Sequence, residues 1–265
     1  MNNSQRSIDS ASQILEQFLT PRKKSPSTKE QKLIERAEIF SIPTRKTELT
    51  AYSWGEGATV LLVHGWAGRG TIFGWSFIEP LVESGYRVLS FDAPAHGRSP
   101  GQQTNGFELS EAIATVAKHE SPIDSVIAHS MGVTNTVLAL SKEVFARKIV
   151  CLASMCWLSS SVKRFAKILR LSQHQENELF RSMENKFGKD VWEAFSADKK
   201  VSDLNIKALL FHDRNDKDFL LQESEAISHF WQGSRLIITE GLGHKRILRD
   251  KQVIQKTVEF ITGKI

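Results

Sequence analysis

One serine in this chain, Ser130, lies where a side chain can act as a nucleophile. Val126-Ile127-Ala128-His129-Ser130-Met131-Gly132 reads as a buried strand ending at Ala128, a sharp turn at Ser130 and a helix beyond it. Such a turn forces the serine into a strained backbone that only small neighbours tolerate. Ala128 and Gly132 supply that clearance, two residues to either side. The following helix would aim free N–H groups and the positive end of its dipole at developing negative charge. A plain helix N-cap has the same residue type, so the strand before and the helix after carry the catalytic reading.

A serine nucleophile needs a base, an acid to orient the base, and donors for an oxyanion. Val60-Leu61-Leu62-Val63 runs into His64-Gly65-Trp66-Ala67-Gly68, a turn able to present inward N–H groups. The N–H of Trp66 and that of Met131 are the expected oxyanion donors, with His64 bracing the loop. Of the eight histidines, His244 is the expected base, because Gly241-Leu242-Gly243-His244 follows the last strand-like run. His119 and His229 suit helix surfaces, and His129 suits packing. Three aspartates follow the strand that ends in His212. Asp213 also suits a turn cap and Asp218 a helix N-cap, while Asp216, mid-loop, has the best reach.

These residues require a scaffold of strands and helices. Strand-like runs fall at 38–42, 48–54, 59–63, 87–91, 125–128, 148–153, 208–212 and 235–239. Helical patterns fall at 75–84, 107–119, 131–142, 220–230 and 246–261. This alternation predicts a mostly parallel eight-stranded sheet flanked by helices, opened by an antiparallel edge hairpin. Between 153 and 208 only helical stripes occur, which predicts a helical cap over residues 157–204 inserted into a core of 38–156 and 205–265. Residues 1–37 read as a helical, peripheral extension, with one short stripe at Ile14, Leu15, Phe18 and Leu19 and another near 29–37.

Ser130, Asp216 and His244 follow one another in the order nucleophile, acid, histidine, and the chain resembles the α/β-hydrolase superfamily from about residue 38 onward. Further motifs carry the likeness. His212 precedes Asp216 by four positions; His64-Gly65-Trp66 resembles the family's oxyanion loop; Phe91-Asp92-Ala93-Pro94-Ala95-His96-Gly97-Arg98-Ser99 resembles its strand-four signature. The resemblance implies the α/β fold, a cap after strand six, and the serine esterase or lipase-like branch, since aspartate-nucleophile branches differ at position 130. It further implies that His244 deprotonates Ser130, that Asp216 holds the imidazole, and that water resolves an acyl-enzyme.

Substrate and setting are bounded more loosely. Phe165, Phe180 and Trp192, with Phe187 and Phe195, stand on the cap stripes where they would line an acyl pocket. The cap's first helix carries Lys163, Arg164, Lys167 and Arg170 with no acid from 159 to 175. That face suits an anionic leaving group such as a carrier thioester's phosphopantetheine, or plain solvent. Three function classes follow: a carboxylic-ester hydrolase, a thioesterase or acyl transferase, and a non-catalytic binding protein.

Lys plus Arg number 35 against 30 for Asp plus Glu, a net charge of +5, with the charges interspersed rather than clustered. Nucleic acid is therefore not the expected partner; a small acyl substrate is. No phosphate loop, cofactor fingerprint or metal-ligand cluster appears, so neither cofactor nor metal is expected. The apolar runs are too short to span a bilayer. Cys151 and Cys156 read as core thiols, and no secretion signal is recognisable, which makes a cytoplasmic protein the default expectation.

Overall fold

Four continuous aliphatic runs become the strands at the centre of a sheet, where each face needs an apolar cover. A computed structural model describes residues 10–265. Its sheet contains β1 (Glu38–Pro43), β2 (Glu48–Trp54), β3 (Ala58–Val63), β4 (Tyr86–Phe91), β5 (Ile123–His129), β6 (Lys148–Leu152), β7 (Lys207–Asp213) and β8 (Ser234–Thr239). The strand order is β1-β2-β4-β3-β5-β6-β7-β8. β1 and β2 are the antiparallel edge, β2 meets β4 antiparallel, and every later pairing is parallel.

Helices α3 (Trp75–Glu83), α4 (Gly106–His119), α5 (Met131–Lys142), α9 (Leu221–Phe230) and α11 (Lys251–Ile261) cover the two faces. Side chains alternate across each strand, so neighbours serve opposite layers. Leu61, Val126, Cys151 and Leu210 join the cluster that includes Ile113, Val137 and Ile227. Leu62, Ile127, Leu152 and Phe211 join the one that includes Phe77, Leu81 and Ile254. Both cysteines are buried and unpaired, and burial pushes their thiols well above the ordinary value.

Three helices fill the interval between β6 and β7: α6 (Leu158–Leu169), α7 (Gln173–Phe187) and α8 (Val191–Ala194). Two more precede β1: α1 (Ala11–Phe18) and α2 (Thr28–Glu35). Residues 1–9 of the expected leading extension lie outside the described residues.

The leading helices pack differently from the peripheral placement that their sequence suggests. Ile14 is only 1% exposed and shares a cluster with Leu158, Val162, Leu179 and Met183 of α6 and α7. Full burial of an aliphatic side chain stabilises by about 1.5–3 kcal/mol, enough to hold so short a helix in place. α2 docks on the sheet itself. Its start is closed by a reciprocal Ser27–Glu30 capping box, and Trp54 Nε1 donates to Leu33 O at 3.1 Å.

The last expected helix, 246–261, is divided. Asp250 caps α11 by accepting from Gln252 N and Val253 N, and a short α10 (Gly243–Arg246) plus a single 3₁₀ turn precede it. The capping aspartate interrupts a hydrophobic pattern that runs on through it. His244 therefore stands in a helical turn rather than on a freely swinging glycine loop.

Candidate active site

Residue 130 joins β5 to α5 with φ 59°, a conformation that non-glycine residues rarely adopt. The strain is held by ordinary hydrogen bonds: Ser130 N donates to Leu152 O at 2.9 Å, and Val133 N donates to Ser130 O at 3.0 Å. Close approach explains the small neighbours. A Cβ at Gly132 would lie 2.7 Å from His64 O and 2.8 Å from Val63 O, and one at Gly65 would lie 2.8 Å from Ser130 Cβ. The β3 turn and the β5 turn thus touch through two glycines, which brings Trp66 beside the serine. Among the described residues, neither Trp66 N nor Met131 N has an acceptor.

His244 on α10 closes the site from the far end of the sheet. Its Nε2 is 3.0 Å from Ser130 Oγ, and its Nδ1 is 2.8 Å from Asp216 Oδ2. Asp216 Oδ1 accepts from Asp218 N at 2.8 Å and Phe219 N at 3.2 Å. Burial alone would raise this carboxyl, but the His244 hydrogen bond and charge, with the two backbone N–H groups, hold it below the usual carboxylate value. The imidazole is therefore presented to a stable carboxylate on one side and to the serine hydroxyl on the other.

The other two aspartates have separate work. Asp213 accepts from Asn215 N at 3.0 Å, Thr239 Oγ1 at 2.8 Å and Leu242 N at 2.9 Å, tying the loop after β8 to the end of β7. Asp218 does not cap the helix that follows; the N-cap there is Leu220. Its Oδ1 instead receives Arg164 Nε at 3.1 Å and Nη2 at 2.8 Å, and its Oδ2 lies 3.9 Å from His244 Nε2. Of the four cations on α6 and its C-cap, Arg164 thus turns inward and is paired with Asp218. Lys163, Lys167 and Arg170 are exposed.

Two further histidines brace the constellation. Ala93 N donates to His64 Nε2 at 3.0 Å, so the His64 proton is on Nδ1, which donates to Gly65 O at 2.7 Å. Burial keeps this ring neutral, as a structural brace should be. His129, expected only to pack, donates from Nε2 to the carbonyl of His244 at 2.9 Å and lies against its ring at 4.8 Å. Behind the turns, Asp92 accepts from Tyr52 Oη at 2.8 Å, Gly70 N at 2.7 Å and Arg98 N at 2.7 Å. Position 97 must be glycine: φ is +46°, and a Cβ would fall 2.2 Å from Asp92 Cγ.

Burial has a consequence for acid stability. His129 is pushed down to about 3 by burial and then by the neighbouring His244, and His96 to about 3 by burial and then by His64. In the unfolded chain both would titrate near ~6.5. The unfolded state then binds more protons between these values, so stability is complete above about pH 6.5 and is lost progressively toward about pH 3. The thermal midpoint is expected to fall between about pH 7 and about pH 5, before carboxylates titrate. A flat midpoint over that interval would contradict the assignment.

An aromatic cavity adjoins the site. Trp66, Met131, Phe165, Phe187 and Phe195 line it, together with Phe18 and Leu19 at the end of α1. Phe18 meets Phe165 edge-on at 5.2 Å. Phe180 and Trp192 are not on this lining. Their rings meet at a tilt, with centroids 4.8 Å apart, and Trp192 Nε1 donates to Glu184 Oε1 at 2.8 Å; both pack half-buried against the cluster of Ile14, Leu179 and Met183. Phe165, Phe187 and Phe195 thus reach the lining from the helical stripes between β6 and β7, and Phe18 and Leu19 reach it from the stripe that begins at Ile14.

Among the described residues no group of three or more His, Cys, Asp or Glu could hold a metal ion. Nor is any helix among them long and apolar enough to cross a membrane.

Comparison with known proteins agrees with this architecture. An esterase of Pyrococcus furiosus superposes with a TM-score of 0.71 at 20% identity, over 92% of this chain and 98% of that one. An esterase from Rhodococcus sp. superposes at 0.66 with 15% identity, over 86% and 98% of the two chains. The thioesterase domain from the curacin biosynthetic pathway superposes at 0.63 with 14% identity, over 86% and 99%. No curated protein matches in sequence. The model of the alpha/beta hydrolase family matches residues 60–255, from β3 through the segment that carries His244. With most of its length under that match and a sheet of the same build, the chain belongs to the alpha/beta hydrolase family.

Proposed function

We infer that this protein is a serine hydrolase acting on a carboxylic ester or a related acyl bond. The observation that carries the reading is the unbroken Ser130–His244–Asp216 hydrogen-bonded line at the C-terminal edge of the sheet. His244 takes the proton of Ser130 Oγ as that oxygen attacks the acyl carbonyl, and the imidazolium is stabilised by Asp216. Trp66 N–H and Met131 N–H, free of acceptors among the described residues, receive the oxyanion. The tetrahedral intermediate expels the alcohol, which takes its proton from His244, and water then hydrolyses the acyl-enzyme by the same route. No step requires a cofactor.

The site is tested directly with a fluorophosphonate probe and a short p-nitrophenyl ester. The reading requires labelling on Ser130 together with ester cleavage, and a folded protein that does neither is no serine hydrolase. A thioester fits the same machinery, since only the leaving atom changes.

The helices between β6 and β7 act in this reading as a cap whose aromatic cavity holds the acyl chain. The N-terminal helix then belongs to the acyl pocket, because Phe18 and Leu19 are on its lining. Phe18→Ala is expected to shift the kcat/KM optimum of a p-nitrophenyl ester series toward longer acyl chains. Removing the ring opens a volume that several methylenes fill, each worth about 0.8 kcal/mol on burial. An unchanged chain-length profile in a stably folded variant would remove α1 from the pocket.

A further inference from the structure

A second, chemically different groove begins at the same turn. Its rim carries Lys24, Lys29, Lys32, Arg36, Lys245 and Arg249, and it offers about 710 Å³. Small-molecule sites commonly span ~300–1,000 Å³, so a nucleotide-sized group is accommodated. None of these six cations forms an ion pair with a carboxylate among the described residues. A seventh, Arg69, pairs with Glu30 at 3.6 Å and donates to Lys24 O. Among the described residues Glu30 is the only acid on the lining, and it is already engaged by Ser27 N at 2.8 Å and Thr71 Oγ1 at 3.3 Å. Apolar floor residues, including Leu33, Ile72 and Trp75, complete a cleft with cationic edges.

The cations come from three distant stretches of chain and converge on one groove, and such a concentration of one sign of charge attracts anions. Position matters as much as charge. Ala67 and Gly68 of the groove directly follow Trp66, which lines the aromatic cavity, and Lys245 directly follows His244. The two recesses are therefore lined by consecutive residues of one turn, Trp66 on the apolar side and Ala67 on the cationic side. An acyl substrate with an anionic leaving group has the same two halves.

We propose that this groove binds phosphate groups on the alcohol or thiol portion of the acyl substrate while the aromatic cavity holds the acyl chain. The proposal rests on the reading of Ser130 as an acyl nucleophile. Hydrolysis consumes one water, breaks the acyl–oxygen or acyl–sulfur bond, and releases the acid and a phosphate-bearing alcohol or thiol. Arg164 is not part of this recognition, because Asp218 occupies it.

Matched substrates test the groove. One pair is S-butyryl-4′-phosphopantetheine and S-butyryl pantetheine, which share the thioester and differ only in the phosphate. The other is dihexanoyl phosphatidylglycerol below its micellar concentration and dihexanoylglycerol. For at least one pair the phosphate-bearing member is expected to have about tenfold higher kcat/KM at low salt. The pair that shows the preference identifies whether the phosphate comes on a thiol carrier or a lipid. The triple variant Lys29→Glu/Lys32→Glu/Arg249→Glu should lose this preference and keep wild-type turnover of p-nitrophenyl butyrate.

Salt supplies a reading that needs no variant. Raising NaCl should lower wild-type kcat/KM for the favoured phosphate ester and leave its neutral partner unchanged. Equal kcat/KM within both wild-type pairs, an undiminished preference in the folded variant, or equal salt responses would overturn the proposal. Failure to turn over any substrate, p-nitrophenyl butyrate included, would instead overturn the hydrolase reading on which it rests.

Discussion

Ser130→Ala is expected to lower ester turnover by about 10⁴-fold or more and to abolish fluorophosphonate labelling. The hydroxyl oxygen is the only heavy atom removed, and its one hydrogen-bond partner among the described residues is His244 Nε2 at 3.0 Å. Alanine meets the φ of 59° with no greater steric burden than serine, so the elbow and its backbone hydrogen bonds persist. The variant should therefore unfold at nearly the wild-type temperature. Residual activity within tenfold of wild type, or a probe adduct on another residue, would show that the nucleophile lies elsewhere.

The second large effect separates two aspartates three positions apart. Asp216→Asn should lower kcat by about 10³–10⁴-fold with little change in stability. Two backbone N–H groups, from Asp218 and Phe219, point at Oδ1 and keep an oxygen there. The new amide nitrogen must then face His244 Nδ1 as a donor. That forces the imidazole proton onto Nε2, so the ring donates to Ser130 and no longer accepts its proton.

Asp213→Asn should show the converse. Its Oδ1 receives Asn215 N, and its Oδ2 receives both Leu242 N and Thr239 Oγ1. An amide nitrogen opposite Leu242 N–H leaves a donor facing a donor, at a cost of about 1–3 kcal/mol. The thermal midpoint should drop while kcat falls far less than in Asp216→Asn. If Asp216→Asn keeps near-wild-type activity and Asp213→Asn loses it, the orienting acid is Asp213.

The eight strands were legible because continuous aliphatic runs and short turns are local signals. Every expected strand occurs, displaced by at most two residues at an end. The final helix was less legible, since Asp250 caps it within a pattern whose apolar periodicity continues across the break. His244 was identifiable by type and by its place after the last strand, yet its support was not. The hydrogen bond from His129 to its carbonyl joins residues 115 positions apart.

The sequence by itself determined the order of strands and helices, the elbow at Ser130 and the glycines that let two turns touch. Each of these depends on residue type and on neighbours a few positions away. Only the tertiary structure shows which groups reach Asp213, Asp216 and Asp218 from other elements. These are the loop after β8, the His244 ring, and Arg164 from α6. It also decided that Phe18 faces the cavity while Phe180 and Trp192 face each other, and that dispersed lysines and arginines gather on one groove. Periodicity states which face of a helix is apolar, but not what that face will meet; that depends on where the rest of the chain packs.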